Sequence, residues 1–124
     1  EASISYKTRW VEEHLHALKS TYNNAPYFEF LEPDLERILH KKYDKLIDLN
    51  MALHLQIMKW LRIDRDVNRS ESFQNYIDWP KNGAHPEIAI KPYPQIFRTD
   101  FTPGLSIIDA LACEGAFISR HWVS

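Results

Sequence analysis

The sequence predicts a mainly α protein, a three-to-four-helix antiparallel bundle crossed by a long irregular Pro-rich strap. Three observations predict it. Residues 45–61, KLIDLNMALHLQIMKWL, hold neither Gly nor Pro and carry two adjacent apolar stripes. Leu46, Leu49, Leu53, Ile57 and Leu61 form one, and Ile47, Met51, Leu55 and Met58 the other. Spacings of three and four put each set on one side of a helix. Two upstream segments repeat that spacing and are joined by short connections, which favour antiparallel neighbours. After Ile63 the helical period stops, and residues 86–97, PEIAIKPYPQIF, contain three prolines. Such a stretch cannot be a central strand and reads as an extended strap.

Taken in order, residues 4–6 alternate with polar neighbours and read as a strand stub. A stub this short cannot form a sheet alone, so a partner upstream is expected. Residues 8–22 are helical, with Thr8 as the expected N-cap and Glu12 and Glu13 placed to favour the helix dipole. Val11, His14, Leu15, Leu18 and Tyr22 share one stripe, with Trp10 at its shoulder. Pro26 ends the helix, because it disfavours helical geometry at the residue before it. Tyr27, Phe28 and Phe30 cluster in a short connection that reads as a lid on the core. The second helix is expected at residues 33–42, with Pro33 in its first turn and Leu35, Ile38 and Leu39 inward.

Residues 45–63 then form the expected central helix. It is apolar around most of its girth, as a helix covered by several neighbours would be. Asp48, Asn50 and His54 interrupt its apolar surface. Either they are satisfied polar groups on a core helix, or they face a pocket. Residues 64–83 form a long polar connection, and Phe73, Tyr76, Ile77 and Trp79 suggest that its second half packs onto something. In the strap, Tyr93 and Phe97 are expected to insert into the surface. Thr102-Pro103-Gly104 breaks the chain before a last helix at residues 106–113, with Leu105, Ile108, Leu111 and Ala112 inward and Gly115 as its C-cap.

The 124 residues suit a single domain, 1–124, and the 44% hydrophobic and 26% charged composition is that of a globular chain. A formal charge of −2 gives no bulk attraction to nucleic acid or to an anionic membrane, and neither partner is expected. No apolar run approaches the ~20 residues of a membrane span. Cys113 is the only cysteine, so an intramolecular disulfide is impossible and a cytoplasmic location is expected. The start, Glu-Ala-Ser, has no signal-peptide pattern, and the chain reads as part of a longer protein.

His14 and Asp109 are the candidate catalytic residues. An imidazole can act as general base near neutral pH, and His14 lies on the apolar stripe of its helix. The plainer reading is a core histidine bonded to a neighbour such as Asp48 or Asn50. Asp109 sits mid-helix among apolar residues and could orient a His or pair with a cation. Its plainer reading is a capping-box-like start with Ser106. Tyr93, Gln95, Asp48 and Asn50 are the candidate substrate-binding residues. Tyr93 and Gln95 alternate along an extended segment and so face one side, either toward a polar ligand or to anchor the strap. The histidines show no ligand spacing, there is no HExxH, and three glycines form no phosphate loop. No metal and no cofactor are expected.

Several motifs occur in one order: Trp10, His14, Ser20 and Tyr22; Ala25 to Glu29; Lys42 and Tyr43; Leu46 with Asp48 to Asn50; Tyr93, Gln95 and Phe97; and Phe101, Pro103, Leu105 to Asp109, Glu114 and Gly115. In these the chain resembles the WbqC-like family of bacterial proteins, whose His coincides with His14. Ala112 and Cys113 depart from the Phe-Asn usual before the Glu-Gly. The family also has an upstream segment with several strands, so the resemblance implies the helical C-terminal part of a longer protein. Such proteins are typically encoded among genes for surface-polysaccharide and amino-sugar assembly. The implied function is acyl or aminoacyl transfer, with a nucleotide sugar or other small molecule as substrate. The alternative is a non-catalytic helical scaffold that docks the upstream segment, a second copy or another protein through an exposed apolar patch, with Trp79 and Trp122 as candidates.

Overall fold

The computed structural model describes residues 2–67, 92–96, 100–102 and 105–116. Most of the expected polar connection, with Phe73, Tyr76, Ile77 and Trp79, lies outside them, as do Phe97 and Trp122. Among the described residues there are four helices: α1 (Trp10–Tyr22), α2 (Phe28–His40), α3 (Leu46–Leu61) and α4 (Ile107–Glu114). The protein is mainly helical, as its apolar periodicity requires.

The second helix begins earlier than expected. Tyr27, Phe28 and Phe30 are its entry rather than a lid, and Pro33 lies inside it. Burial explains the extension. Phe28 and Leu31 are 3% and 4% exposed and continue the stripe of Leu35, Ile38 and Leu39. Burying two such side chains stabilises by roughly 3–6 kcal/mol. A proline in a helix interior costs about 3 kcal/mol. The apolar stripe therefore carries the helix through Pro33.

The central element is also different. The expectation placed α3 at the centre, but α2 is the helix that contacts α1, α3 and α4. Of α3, only Leu49, Gln56 and Leu61 are buried, while Leu46, Ile47 and Leu55 are 43%, 40% and 48% exposed. An apolar composition all round does not dictate burial, which depends on the sides that meet neighbours.

Two apolar clusters hold the bundle. One gathers Phe28, Leu31 and Leu35 of α2 with Leu61, Tyr93 and Ala110 to Cys113. The other joins Val11, Ile38, Leu39 and Leu49 beneath Tyr6, Trp10 and Tyr43. Between α2 and α3 runs a polar lock. Gln56 accepts from Arg37 at 3.0 Å, and the Trp60 indole donates to Asp34 at 3.2 Å. The strand stub finds its partner downstream. Ser3 bridges Lys45, with Ile4 N–H donating to Asp44 and Leu46 N–H to Ala2.

The caps divide between expected and unexpected. Ser106 caps α4, its hydroxyl accepting from Ile108 N–H at 3.3 Å. At α1 the cap position is Arg9, not Thr8, and it makes no side-chain cap bond. Gly115 ends α4 at φ 63°, ψ −150°, a conformation essentially restricted to glycine. A Cβ there would meet the Tyr27 ring at 2.8 Å, which fixes glycine a second time. That approach lets Tyr27 N–H reach the Ala112 carbonyl at 2.9 Å, tying the start of α2 to the end of α4.

Candidate functional site

The structure gathers two of the candidate residues, Tyr93 and Gln95, around a third, the carboxylate of Asp109. Asp109, the third residue of α4 and in its first turn, is fully buried at 0% exposure. The Tyr93 hydroxyl donates to its Oδ2 at 2.5 Å, and the Gln95 amide donates to the same oxygen at 3.1 Å. The Tyr22 hydroxyl, from the end of α1, donates to Oδ1 at 3.0 Å. Alternation along the extended segment does place Tyr93 and Gln95 on one side, and that side is Asp109. Gln95 is further pinned to Thr102, donating to its carbonyl at 3.0 Å and accepting from its N–H at 2.9 Å. Phe101 closes over Tyr93 edge-on, with centroids 5.1 Å apart.

The chemistry of this cluster is that of a satisfied carboxylate. Three donors oppose one acceptor group, and the carboxylate itself has no exposed surface. The capping-box expectation for Asp109 is replaced: its oxygens go to Tyr22, Tyr93 and Gln95, while Ser106 caps alone. Burial and the bond to Asp109 push the Tyr93 phenol up to about 12. The same two causes, in the same order, raise Tyr22 further. Both phenols stay protonated and donate. Burial also raises the Cys113 thiol, which disfavours a reactive thiolate. Tyr22 was legible as a stripe and motif residue but not as a partner of Asp109, because a contact across 87 positions leaves no local pattern.

The other candidates lie elsewhere. His14 is exposed on α1, and its ring stands edge-on to Trp10 at 5.5 Å. It is not a core histidine, and its ring neighbour is Trp10 rather than Asp48 or Asn50. Asn50 is exposed on α3. Asp48 is half-buried and lines an open groove with Lys41, Lys42, Tyr43, Asp44 and Leu55. Sequence reasoning singled out Asp48, and Lys42 only within a motif with Tyr43; it marked neither of the two lysines as a binding residue. They come from the turn after α2, where Lys42 adopts a left-handed conformation at φ 58°. The Lys41 ammonium stands 5.1 Å from the Tyr43 ring centroid, in cation–π range.

Among the described residues, no group of three or more His, Cys, Asp or Glu could hold a metal ion. Nor is any described helix long and apolar enough to cross a membrane.

No curated protein and no solved structure matches the chain. The WbqC-like protein family matches residues 1–84, which take in α1, α2, α3 and the Lys41–Asp48 groove and stop short of Tyr93 and Asp109. With 84 of its 124 residues matched, the chain belongs to the WbqC-like protein family.

Proposed function

We propose that this WbqC-like protein takes part in acyl or aminoacyl transfer to an amino sugar during surface-polysaccharide assembly. The groove at the α2–α3 turn binds the sugar substrate. One observation carries this reading: the groove sets two lysines, a tyrosine ring and the half-buried Asp48 side by side. A carboxylate can accept from sugar hydroxyls or an ammonium, lysines suit an anionic activating group, and an aromatic ring suits the apolar face of a sugar. Asp109, closed around its three donors, then acts as a positioning residue for the 92–96 segment. It does not touch substrate.

Melting temperature measured against nucleotide sugars, acyl-CoA donors and free amino acids tests the reading. A ligand present at about 100 times its Kd adds about 2.7 kcal/mol to stability. A nucleotide sugar should raise the midpoint, and Asp48→Asn or Lys41→Ala should remove the rise. An unchanged midpoint with every ligand would remove the support for substrate binding here.

A second reading, the helical scaffold, is favoured by the exposed Leu46, Ile47 and Leu55 on α3. It expects self-association or partner binding that Leu55→Lys abolishes, whereas substrate binding expects a monomer with the same melting behaviour alone.

A further inference from the structure

A second polar depression lies across Lys42 from the groove, between the chain entering α1 and the end of α2. We infer that it is a binding cleft for the phosphate group of a small phosphorylated molecule. The inference does not rest on the proposed transfer reaction, because Arg9 and His40 line this cleft and not the groove, and Lys41 and Asp48 line the groove and not this cleft.

Three basic side chains converge on the cleft, Arg9, His40 and Lys42, and Thr8 adds a hydroxyl. Its apolar floor is Val11 and Leu39, which are 5% and 8% exposed. The three basic groups enter no ion pair with another described residue. Glu12 is the single acid at the rim. Two or three cations against one carboxylate match the charge of a phosphomonoester, and a guanidinium can grip two of its oxygens at once.

The cleft is also held in shape. The Tyr6 hydroxyl donates to the Tyr43 carbonyl at 2.7 Å, and its ring stacks on Trp10 at 5.6 Å. The Trp10 indole in turn donates to the Ser5 carbonyl at 2.8 Å. These bonds pin the segment that carries Thr8 and Arg9. On the opposite wall the left-handed turn brings the Lys42 ammonium to 6.0 Å from the Tyr6 ring.

Calorimetric titration of the full chain with glucose 1-phosphate, and separately with inorganic phosphate, tests the site at constant ionic strength. Saturable binding of either probe is expected. Losing one charge-assisted contact should weaken it about tenfold or more in Arg9→Ala and in His40→Ala. Lys59→Ala removes one positive charge from another surface and should leave the affinity unchanged. Tighter binding of glucose 1-phosphate supports a phosphorylated small molecule as occupant, and equal binding supports the free anion. The site is overturned if neither probe saturates, or if Lys59→Ala weakens binding as much as Arg9→Ala. Arg9 and His40 are exposed, so helical circular dichroism should be unchanged in both variants.

Discussion

At the scale of single residues, Asp109 shows how a buried charge is accommodated. A carboxylate at 0% exposure is tolerated when its lone pairs are occupied, and here two phenols and an amide occupy them. Removing one donor leaves the charge in place and its partner missing. Tyr93→Phe should therefore cost about 1.5–3 kcal/mol, read as a lower urea midpoint with an unchanged slope. A loss under about 0.5 kcal/mol would mean that water replaces the phenol and that the site is more open than it looks. Gly115 is the second decisive residue, since both its backbone angle and the Tyr27 ring exclude a side chain. Its position was legible as a helix stop, but its neighbour was not.

At the scale of elements, α2 and α3 exchange the roles that their compositions suggest. The apolar stripe of α2 is narrower, yet its five buried positions meet three other helices. The polar lock of Asp34, Arg37, Gln56 and Trp60 fixes how α3 lies on it. Pro33 is the weak point of α2. It is exposed and cannot donate to the Glu29 carbonyl four residues back. Pro33→Ala restores that bond, and the gain is partly offset by a floppier unfolded chain. The expected result is a stabilisation of about 1–2 kcal/mol in thermal or urea unfolding. A loss of stability would show instead that the Pro33 ring makes a contact of its own.

At the scale of the whole molecule, the phenols link stability to pH. Tyr22 and Tyr93 hold their protons more tightly folded than unfolded, because burial and Asp109 disfavour the phenolate. Their contribution is complete below about pH 10, the unfolded value, and is lost as pH rises through the raised folded values. The urea midpoint should fall between about pH 10 and pH 12, and the fall should be smaller in Tyr93→Phe. An equal fall in both proteins would assign alkaline unfolding to other groups.

What the sequence determined by itself was the helical class, four helical segments though not where the second begins, and the stops at Pro26 and Gly115. These rest on local rules: a period near 3.6, the fixed φ of proline, the freedom of glycine. It also determined that Tyr93 and Gln95 face one way, since a strand alternates. The tertiary structure alone decided which helix is central, because that depends on which stripes find neighbours. It decided that Tyr22 and Asp109, 87 positions apart, share a proton donor and acceptor. It also decided that Arg9, His40 and Lys42 stand around one cleft. Contacts of that range are set by how helices dock, and no spacing along the chain encodes them.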